Sequence, residues 1–386
     1  MTYPTACSRS WTEVNIDFKR GILGHCCRAV YYDLPDDYTV DFFANSEHIQ
    51  KRRQDTLAGI QHPDCQSCWD SLKDGVTPFR EWVNEWDNFD NETPDTPRIS
   101  GIEIELENTC DLSCLYCVAD ASSKIAQEEG IIVHNKTREK DIIIFKEWLS
   151  DTVNNSDSDL NISFLGGEPT ASKLFYELID YIVSLDNKNI TLQITTNCNS
   201  KDYLFKKFLD TITKSQCKWY IHISNESFKE DSELIRYGLD WDRFEQNLRA
   251  YAANEKVNHI NFDVSMTSIA LPTFPEYVEW IYSIMSEYDK KFSILGDVVR
   301  DPSELDVAIL PESFKTYMDQ AIEIVKERQL PNRVREDKIL IFLEAVKNRI
   351  GSNYQEDYQN IVKKFLESKQ KYKKTDKLMR LVNPLG

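Results

Sequence analysis

Residues 101–117 read GIEIELENTCDLSCLYC. From Ile102 to Glu107, Ile or Leu alternates with Glu, and this period of two predicts a β-strand with one apolar and one polar face. Three cysteines follow at once, with the spacing Cys110-x3-Cys114-x2-Cys117. They therefore lie on the loop at the carboxyl end of the strand, the edge where active sites of parallel α/β barrels assemble.

After this segment, short β-rich runs alternate with amphipathic helical stretches, the pattern of βα units around a parallel sheet. The predicted strands are 101–106, 160–165, 190–196, 218–224, 259–266 and 291–296. The predicted helices between them are 139–153, 171–186, 201–214, 231–253 and 273–287. Six such units fall short of the eight in a closed barrel. We therefore predict an α/β fold, a partial (β/α)6 barrel.

The strands of this barrel have polar faces. In the strand over 218–224, Trp219, Ile221 and Ile223 alternate with Tyr220 and His222. A sheet covered by helices on both faces reads as continuous apolar runs instead. The alternation favours a curved sheet with a wet, ligand-holding interior. An antiparallel sheet with one solvated face is the alternative.

Three regions are predicted. Residues 1–97 form a cysteine-containing extension with helices near 46–57 and 77–86, and an acidic linker over 87–97 ends it. Residues 98–302 form the barrel. Residues 303–386 form a helical region with a basic tail.

Composition narrows the class of protein. The 386 residues carry a formal charge of −18, which disfavours a surface built to bind nucleic acid or anionic membranes. No apolar run reaches the roughly 18 residues of a membrane span, and the N-terminus lacks a signal-peptide pattern. We expect a cytoplasmic protein, where clustered cysteines indicate metal or redox chemistry rather than disulfides.

The three-cysteine loop suits an iron–sulfur cluster. Three thiolates within eight residues can bind three irons of a [4Fe–4S] cubane and leave the fourth iron open. A structural zinc would require a fourth nearby ligand. Zinc and redox-active thiols remain the alternatives from spacing alone.

The loop, with Tyr116 before its last cysteine, resembles the signature of the radical S-adenosylmethionine (SAM) enzymes. A second resemblance is Gly166-Gly167-Glu168-Pro169 at the end of the second strand. In that family the open iron is chelated by the amino and carboxylate groups of SAM, and this tetrapeptide holds the amino group. Glycines allow close backbone approach, and a carboxylate suits an ammonium.

The resemblance implies further SAM contacts at the ends of later strands. The residues implicated are Thr195, Asn197, Ser224, Glu226 and Val298. Cys198 stands where the family commonly has glycine, so it either substitutes for a small residue or projects a thiol toward the radical as a catalytic group.

The implied chemistry is reductive cleavage of SAM to a 5′-deoxyadenosyl radical that abstracts hydrogen from a substrate. The electron would come from an external flavodoxin- or ferredoxin-like donor. The alternation of the strands predicts that Glu105, Gln193 and Asp263 bind the substrate. It predicts that His222 is either a catalytic residue or a structural hydrogen-bond donor.

The extension carries five more clustered cysteines: Cys7, Cys26, Cys27, Cys65 and Cys68. They resemble the ligands of auxiliary-cluster modules called SPASM and twitch domains, although such modules usually follow the barrel. A second [4Fe–4S] cluster, a zinc site and free thiols remain open, and His25 or His62 could replace one cysteine.

The leading interpretation is a radical SAM enzyme with an auxiliary cluster, acting on an unidentified peptide or small molecule. The alternative is an iron–sulfur electron-transfer or structural metal protein without SAM chemistry. The basic tail is the only support for nucleic acid as a partner, and scattered lysines are usually a solvated helix face.

Overall fold

The protein is described here from a computed structural model. It describes residues 5–73, 77–87, 89, 97–154, 159–330, 334, 336–369 and 375–382. Most of the acidic linker (88 and 90–96) and parts of the basic tail (370–374 and 383–386) lie outside the described residues.

The strands, in chain order, are β1 (Glu13–Asp17), β2 (Ile22–Gly24), β3 (Tyr32–Asp33), β4 (Gly101–Glu105), β5 (Ser113–Cys114), β6 (Leu160–Leu165), β7 (Ile190–Thr196), β8 (Lys218–Ser224), β9 (Arg236–Tyr237), β10 (Val257–Met266) and β11 (Lys291–Val298). The α-helices are α1 (Arg9–Thr12), α2 (Phe42–Asn45), α3 (Glu47–Leu57), α4 (Gln66–Lys73), α5 (Phe79–Trp86), α6 (Ser123–Glu129), α7 (Glu139–Asn154), α8 (Lys173–Ser184), α9 (Asp202–Lys214), α10 (Lys229–Ile235), α11 (Trp241–Ala253), α12 (Phe274–Ser286), α13 (Lys315–Arg328), α14 (Glu336–Arg349), α15 (Tyr358–Ser368) and α16 (Thr375–Val382).

The six predicted barrel strands are confirmed as β4, β6, β7, β8, β10 and β11, each within two residues of its predicted bounds. The predicted α/β class with a partial barrel is confirmed by this strand–helix order and by parallel pairing of its strands. Strand alternation also holds, since β8 buries Trp219, Ile221 and Ile223 and leaves Tyr220 and His222 partly exposed.

The chain divides into two compact units. The first comprises residues 1–108, 133–193 and 215–218. Its strands lie in the order β6-β4-β1-β2-β3, with β6, β4 and β1 parallel and the last two pairings antiparallel. Helix α8 shows why this unit folds as it does. Ser172 caps its N-terminus, and Phe175, Leu178, Ile179 and Ile182 form one buried face at helical spacing.

The second unit comprises residues 109–132, 194–214 and 219–386. Here β8, β10 and β11 are parallel neighbours. Gly296 of β11 lies opposite Val264 of β10, and a Cβ at 296 would lie 2.1 Å from the Val264 carbonyl oxygen. Only glycine allows this close approach of the two strands.

Two predictions of elements need correction. The single helix predicted over 231–253 is two helices, α10 and α11, separated by β9 and by Gly238 at φ +105°. Asp240 caps α11 through the backbone N–H of Arg243. Glycine and an N-cap aspartate end one helix and begin the next, so a continuous helix was wrong.

The N-terminal extension, predicted from its helices alone, also contains β-strands. Strand β1, which the sequence analysis missed, pairs in parallel with β4, so that Asn15 lies opposite Glu103 and Asp17 opposite Glu105. The sequence of β1, EVNID, offers only two apolar residues, a weak signal for a strand.

Among the described residues, we find no helix with the length and hydropathy of a membrane span.

Candidate active site

The three-cysteine loop is held in the second unit by a short two-stranded sheet. Strand β5, which contains Cys114, pairs antiparallel with β9, and the Leu115 N–H donates to the Ile235 carbonyl at 2.9 Å. The Cys117 N–H closes a turn on the Cys114 carbonyl at 3.1 Å. The hydroxyl of Ser123 lies 3.1 Å from the Cys110 N–H and accepts from it. The backbone around all three cysteines is therefore fixed by hydrogen bonds.

A buried ion pair anchors the middle of the loop. Arg236 donates through Nε and Nη2 to Glu226 Oε2 at 2.9 and 2.6 Å, and the Tyr116 hydroxyl donates to the same oxygen at 3.1 Å. Glu226 is fully buried, and its other oxygen, Oε1, has no hydrogen-bond partner. Burial raises the pKa of Glu226, and Arg236 opposes that rise. This carboxylate oxygen, close to the cysteine loop and without a partner, can accept a hydrogen bond from a bound group.

A second anchor joins the first cysteine to the end of β7. The carboxylate of Asp111, next to Cys110, accepts from Asn197 Nδ2 at 2.8 Å and from Asn199 Nδ2 at 2.9 Å. Asn197 thus helps to hold the cysteine loop, and its contact with SAM stays a prediction.

The thiols themselves suit metal ligation. Burial raises the pKa of Cys114 to about 12, with Arg236 opposing the rise. A thiolate at this position therefore needs the charge of a bound metal. Three thiols on one firmly held loop can bind three irons of a [4Fe–4S] cluster and leave the fourth iron without a protein ligand.

The Gly-Gly-Glu-Pro turn belongs to the first unit. Gly166 and Gly167 have φ angles of +81° and +53°, the left-handed region that favours glycine. Glu168 is buried, and its Oε1 accepts from the Thr170 N–H at 3.2 Å and from the Thr170 hydroxyl at 2.5 Å. A Cβ at Gly166 would lie 3.5 Å from the Cβ of Glu105, so Glu105 flanks this turn.

The comparisons with known proteins match the cysteine loop and the strands that follow it. Residues 104–281 match the family model described as Radical SAM superfamily. Residues 104–281 therefore form a radical SAM domain, and the chain is an enzyme. A curated relative, molybdenum cofactor biosynthesis protein 1 of Dictyostelium discoideum, is 26% identical over 239 residues, which are 58% of this chain and 34% of the relative. The chain thus matches about a third of that protein's length.

Two solved structures are also similar. They are Streptococcus suis SuiB bound to S-adenosylmethionine and SuiB bound to its precursor peptide SuiA. Each is 18% identical to this chain, covers 83% of it and 70% of the SuiB chain, and has a TM-score of 0.41.

The other residues predicted to contact SAM in this radical SAM protein are placed as follows. Thr195 and Ser224 are partly exposed at the ends of β7 and β8, and Val298 is partly exposed at the end of β11. Cys198, at φ +58°, is 1% exposed, and its thiol donates to the Phe244 carbonyl at 3.6 Å. This burial favours Cys198 as a replacement for a small residue.

The predicted substrate residues of the second unit form a polar network. His222 Nδ1 lies 3.2 Å from Asp263 Oδ2, and Asn261 bonds to Asp263 Oδ1. The network continues through Ser293 to His259, whose pKa is lowered to about 4 by burial and by His222. Each member can donate to or accept from a ligand on this strand face.

In the first unit, Glu105 and Gln193 are likewise partly exposed. Burial and the neighbouring Asp17 raise the pKa of Glu105 to about 7, and Arg20 opposes that rise. Glu105 therefore holds or releases a proton near neutral pH.

Four of the five cysteines of the extension line one cavity in the first unit, and the fifth does not. The cavity is lined by Cys7, Cys26, Cys65 and Cys68, together with Trp69. Cys27 is exposed and lies beside Cys26, to whose sulfur it is hydrogen-bonded. That hydrogen bond lowers the pKa of Cys26 to about 7.

Both histidines considered as replacements are already engaged. His25 is buried with Nε2 2.9 Å from the Phe43 carbonyl, and His62 Nδ1 accepts from the Asp64 N–H at 3.2 Å. Within the described part of the chain, no three His, Cys, Asp or Glu side chains converge tightly enough to bind one metal ion. Open space lies between the four thiols instead.

Sequence reasoning missed Asp111, Asn199 and Arg236, which hold the cysteine loop. Asp111 lies inside the motif, so its position was a usable signal. Arg236 lies in a stretch predicted to be helix. It is 120 positions from Tyr116, and nothing in the sequence indicates that both residues bond to Glu226. Tertiary pairing of β5 with β9 alone brings Arg236 there.

Proposed function

We propose that this enzyme binds a [4Fe–4S] cluster through Cys110, Cys114 and Cys117 and cleaves SAM reductively at its open iron. The observation that carries the proposal is the cysteine loop. It lies within the stretch that matches the radical SAM family and is anchored by Tyr116 and Asp111. When bound, the cluster and SAM supply one-electron cleavage to methionine and a 5′-deoxyadenosyl radical that abstracts hydrogen from the substrate.

The protein's own residues position this chemistry. Tyr116 and Arg236 hold the loop against Glu226, and the unpartnered Glu226 Oε1 can accept a hydrogen bond from a ligand hydroxyl or amine. Glu168 and the left-handed Gly166 and Gly167 offer a carboxylate and open backbone to the ammonium of SAM. Thr195, Asn197, Ser224 and Val298 remain candidates for further SAM contacts.

The substrate is proposed to bind on the polar strand faces. Glu105 and Gln193 are the candidates on a strand face of the first unit, and His222 and Asp263 are the candidates on a strand face of the second. His222 Nδ1 and Asp263 Oδ2 lie 3.2 Å apart, so the pair can hydrogen-bond a polar group of the substrate. Either a peptide or a small molecule fits these donors and acceptors, and the electron donor is proposed to be a flavodoxin- or ferredoxin-like protein.

We also propose that Cys7, Cys26, Cys65 and Cys68 bind a second [4Fe–4S] cluster. A zinc ion would need the four sulfurs to converge to about 2.3 Å from one centre. Among the described residues no side chains converge in this way, and the four cysteines line a cavity instead, which favours a larger inorganic core. Three arginines around it have buried N–H groups without partners, namely Arg9, Arg52 and Arg80. Unpaired cationic donors fit an anionic cluster.

The experiment is anaerobic reconstitution followed by iron and sulfide counts and by assay of 5′-deoxyadenosine after reduction with SAM. We expect about eight irons per chain and formation of 5′-deoxyadenosine. The Cys110/Cys114/Cys117→Ala variant should keep about four irons and form none. Iron without 5′-deoxyadenosine in the unmodified chain would favour the electron-transfer alternative, and zinc in place of iron would refute both.

A further inference from the structure

The cavity between Cys7, Cys26, Cys65 and Cys68 is unusually rich in arginine. Arg9, Arg28, Arg52 and Arg80 all line it. Arg52 is 2% exposed and Arg80 is 6% exposed, so two guanidinium groups are withdrawn from water beside the thiols. Arginine is almost never so buried without a partner.

Carboxylates satisfy these arginines only in part. Among the described residues, the ion pair of Arg52 is with Asp64 at 3.9 Å, which is beyond hydrogen-bond distance. Arg80 reaches Glu81 at 3.4 Å through Nη2 and stacks over Trp69 at 4.9 Å. Arg9 is bonded to Glu13 through Nη1.

One nitrogen of each of these three guanidinium groups is buried without a hydrogen-bond partner. Arg9 Nε, Arg52 Nε and Arg80 Nη1 are buried and have no hydrogen-bond partner. A buried donor left unsatisfied destabilises the folded state, and more so when it is charged. Buried polar groups in folded proteins are normally hydrogen-bonded. Three unsatisfied donors around one cavity therefore indicate that a bound anion accepts hydrogen bonds from them.

The guanidinium groups also act on the thiols electrostatically. Arg52 and Arg80 line the same cavity as Cys65 and Cys68, and both arginine side chains are buried. Negative charge on these sulfurs is thus stabilised by the arginines.

We infer that Arg9, Arg52 and Arg80 donate hydrogen bonds to the second cluster and raise its midpoint potential. This rests on the proposed second cluster. Reduction adds one electron from an external reductant and no proton, so the reduced cluster carries one more negative charge than the oxidised one. Fixed cations and N–H donors near the sulfurs stabilise that added charge, and cluster potentials respond to both. The cluster therefore holds an electron more tightly than four cysteines alone would allow.

The test uses the full-length Cys110/Cys114/Cys117→Ala variant, which isolates the second cluster. Its potential is measured by redox titration followed by electron paramagnetic resonance (EPR). Arg52→Met should make reduction at least tenfold less favourable, a fall of about 59 mV for one electron. Arg80→Met should shift the potential in the same direction, and Arg52→Lys, which keeps the charge, should shift it less.

Arg53 provides a matched control, since it lies next to Arg52 on α3 but does not line the cavity. Its three donor nitrogens bond to the Ser10 carbonyl, Asn45 Oδ1 and the Ala44 carbonyl. Arg53→Met should leave the potential unchanged even if it lowers stability. Should Arg52→Met fail to fold, Arg80→Met and Arg52→Lys decide the matter.

The outcomes separate the two proposals. Absence of iron in the triple alanine variant would overturn the second cluster and this inference with it. Four irons whose potential is the same in the Arg52 and Arg80 variants would overturn this inference alone. Equal shifts in the Arg53 and Arg52 variants would also overturn it, because a general loss of packing would then be the cause.

Discussion

The hydroxyl of Tyr116 lies 3.1 Å from Glu226 Oε2 and donates to it, which ties the cysteine loop to the end of β8. Glu226 is fully buried, and Arg236 supplies its counter-charge. The loop is thus held by a residue between its second and third cysteines, so that the thiols are positioned before any cluster binds.

Replacing Tyr116 with Phe tests this tie. A hydrogen bond to a charged group contributes about 1.5–3 kcal/mol, so the free energy of unfolding should fall by roughly that amount. Iron bound at the loop should also be lost faster to a chelator. The measurements are denaturant unfolding and the rate of iron release. Tyr203→Phe, at a 72% exposed position, is the control and should change neither.

Arg236→Met should be more damaging, because it leaves the Glu226 carboxylate buried without a cation. Removing one partner of a buried pair costs about 3–5 kcal/mol. The variant should recover stability as pH falls, since a carboxylate whose folded pKa is raised folds better once protonated. Denaturant unfolding at pH 5 and pH 8 measures this, and the double variant Glu226→Gln/Arg236→Met should lose less. A pH-independent loss would contradict the ion-pair account.

Asp111→Ala removes the acceptor for Asn197 and Asn199. We expect the cysteine loop to lose its cluster selectively, so that iron falls from about eight toward about four after gel filtration. Glu129→Ala, on the exposed end of α6, is the control and should retain full iron. Full retention by Asp111→Ala would show that this anchor is dispensable.

Glu168→Gln separates the charge of that residue from its capping role, because the amide oxygen can still accept from Thr170. SAM affinity, measured by calorimetry, should fall about tenfold for loss of the charge-assisted hydrogen bond. Iron content should stay the same. Unchanged affinity would refute the assignment of this turn to the ammonium of SAM.

Glu105 predicts a pH dependence of stability. Its pKa is about 7 in the folded protein against 4.5 as the ordinary value, so the folded state holds the proton longer than the unfolded state does. Stability should therefore fall as pH rises from about 4.5 to about 7. Subtracting the profile of Glu105→Gln from that of the unmodified protein isolates this contribution, and identical profiles would contradict it.

The sequence predicted the barrel strands well because each pairs an alternating pattern with a clear turn. It predicted poorly where an element depends on a partner far along the chain. Strand β1 is stabilised by pairing with β4, 88 positions away, and β9 by pairing with β5. The motif cysteines were recognisable because ligand spacing is local. Their anchors were not, because Arg236 and Asn199 reach the loop only through tertiary structure. Cys27 could not be separated from Cys26 by spacing, and only the cavity distinguishes them.

The central claim is an open iron held by Cys110, Cys114 and Cys117, and EPR of the reduced protein tests it most directly. The sample is the variant Cys7/Cys26/Cys65/Cys68→Ala, which retains only the cluster of that loop. On addition of SAM, the account predicts a change in the g-values of the reduced cluster, since SAM becomes a ligand to its iron. A spectrum that is the same with and without saturating SAM would contradict the account.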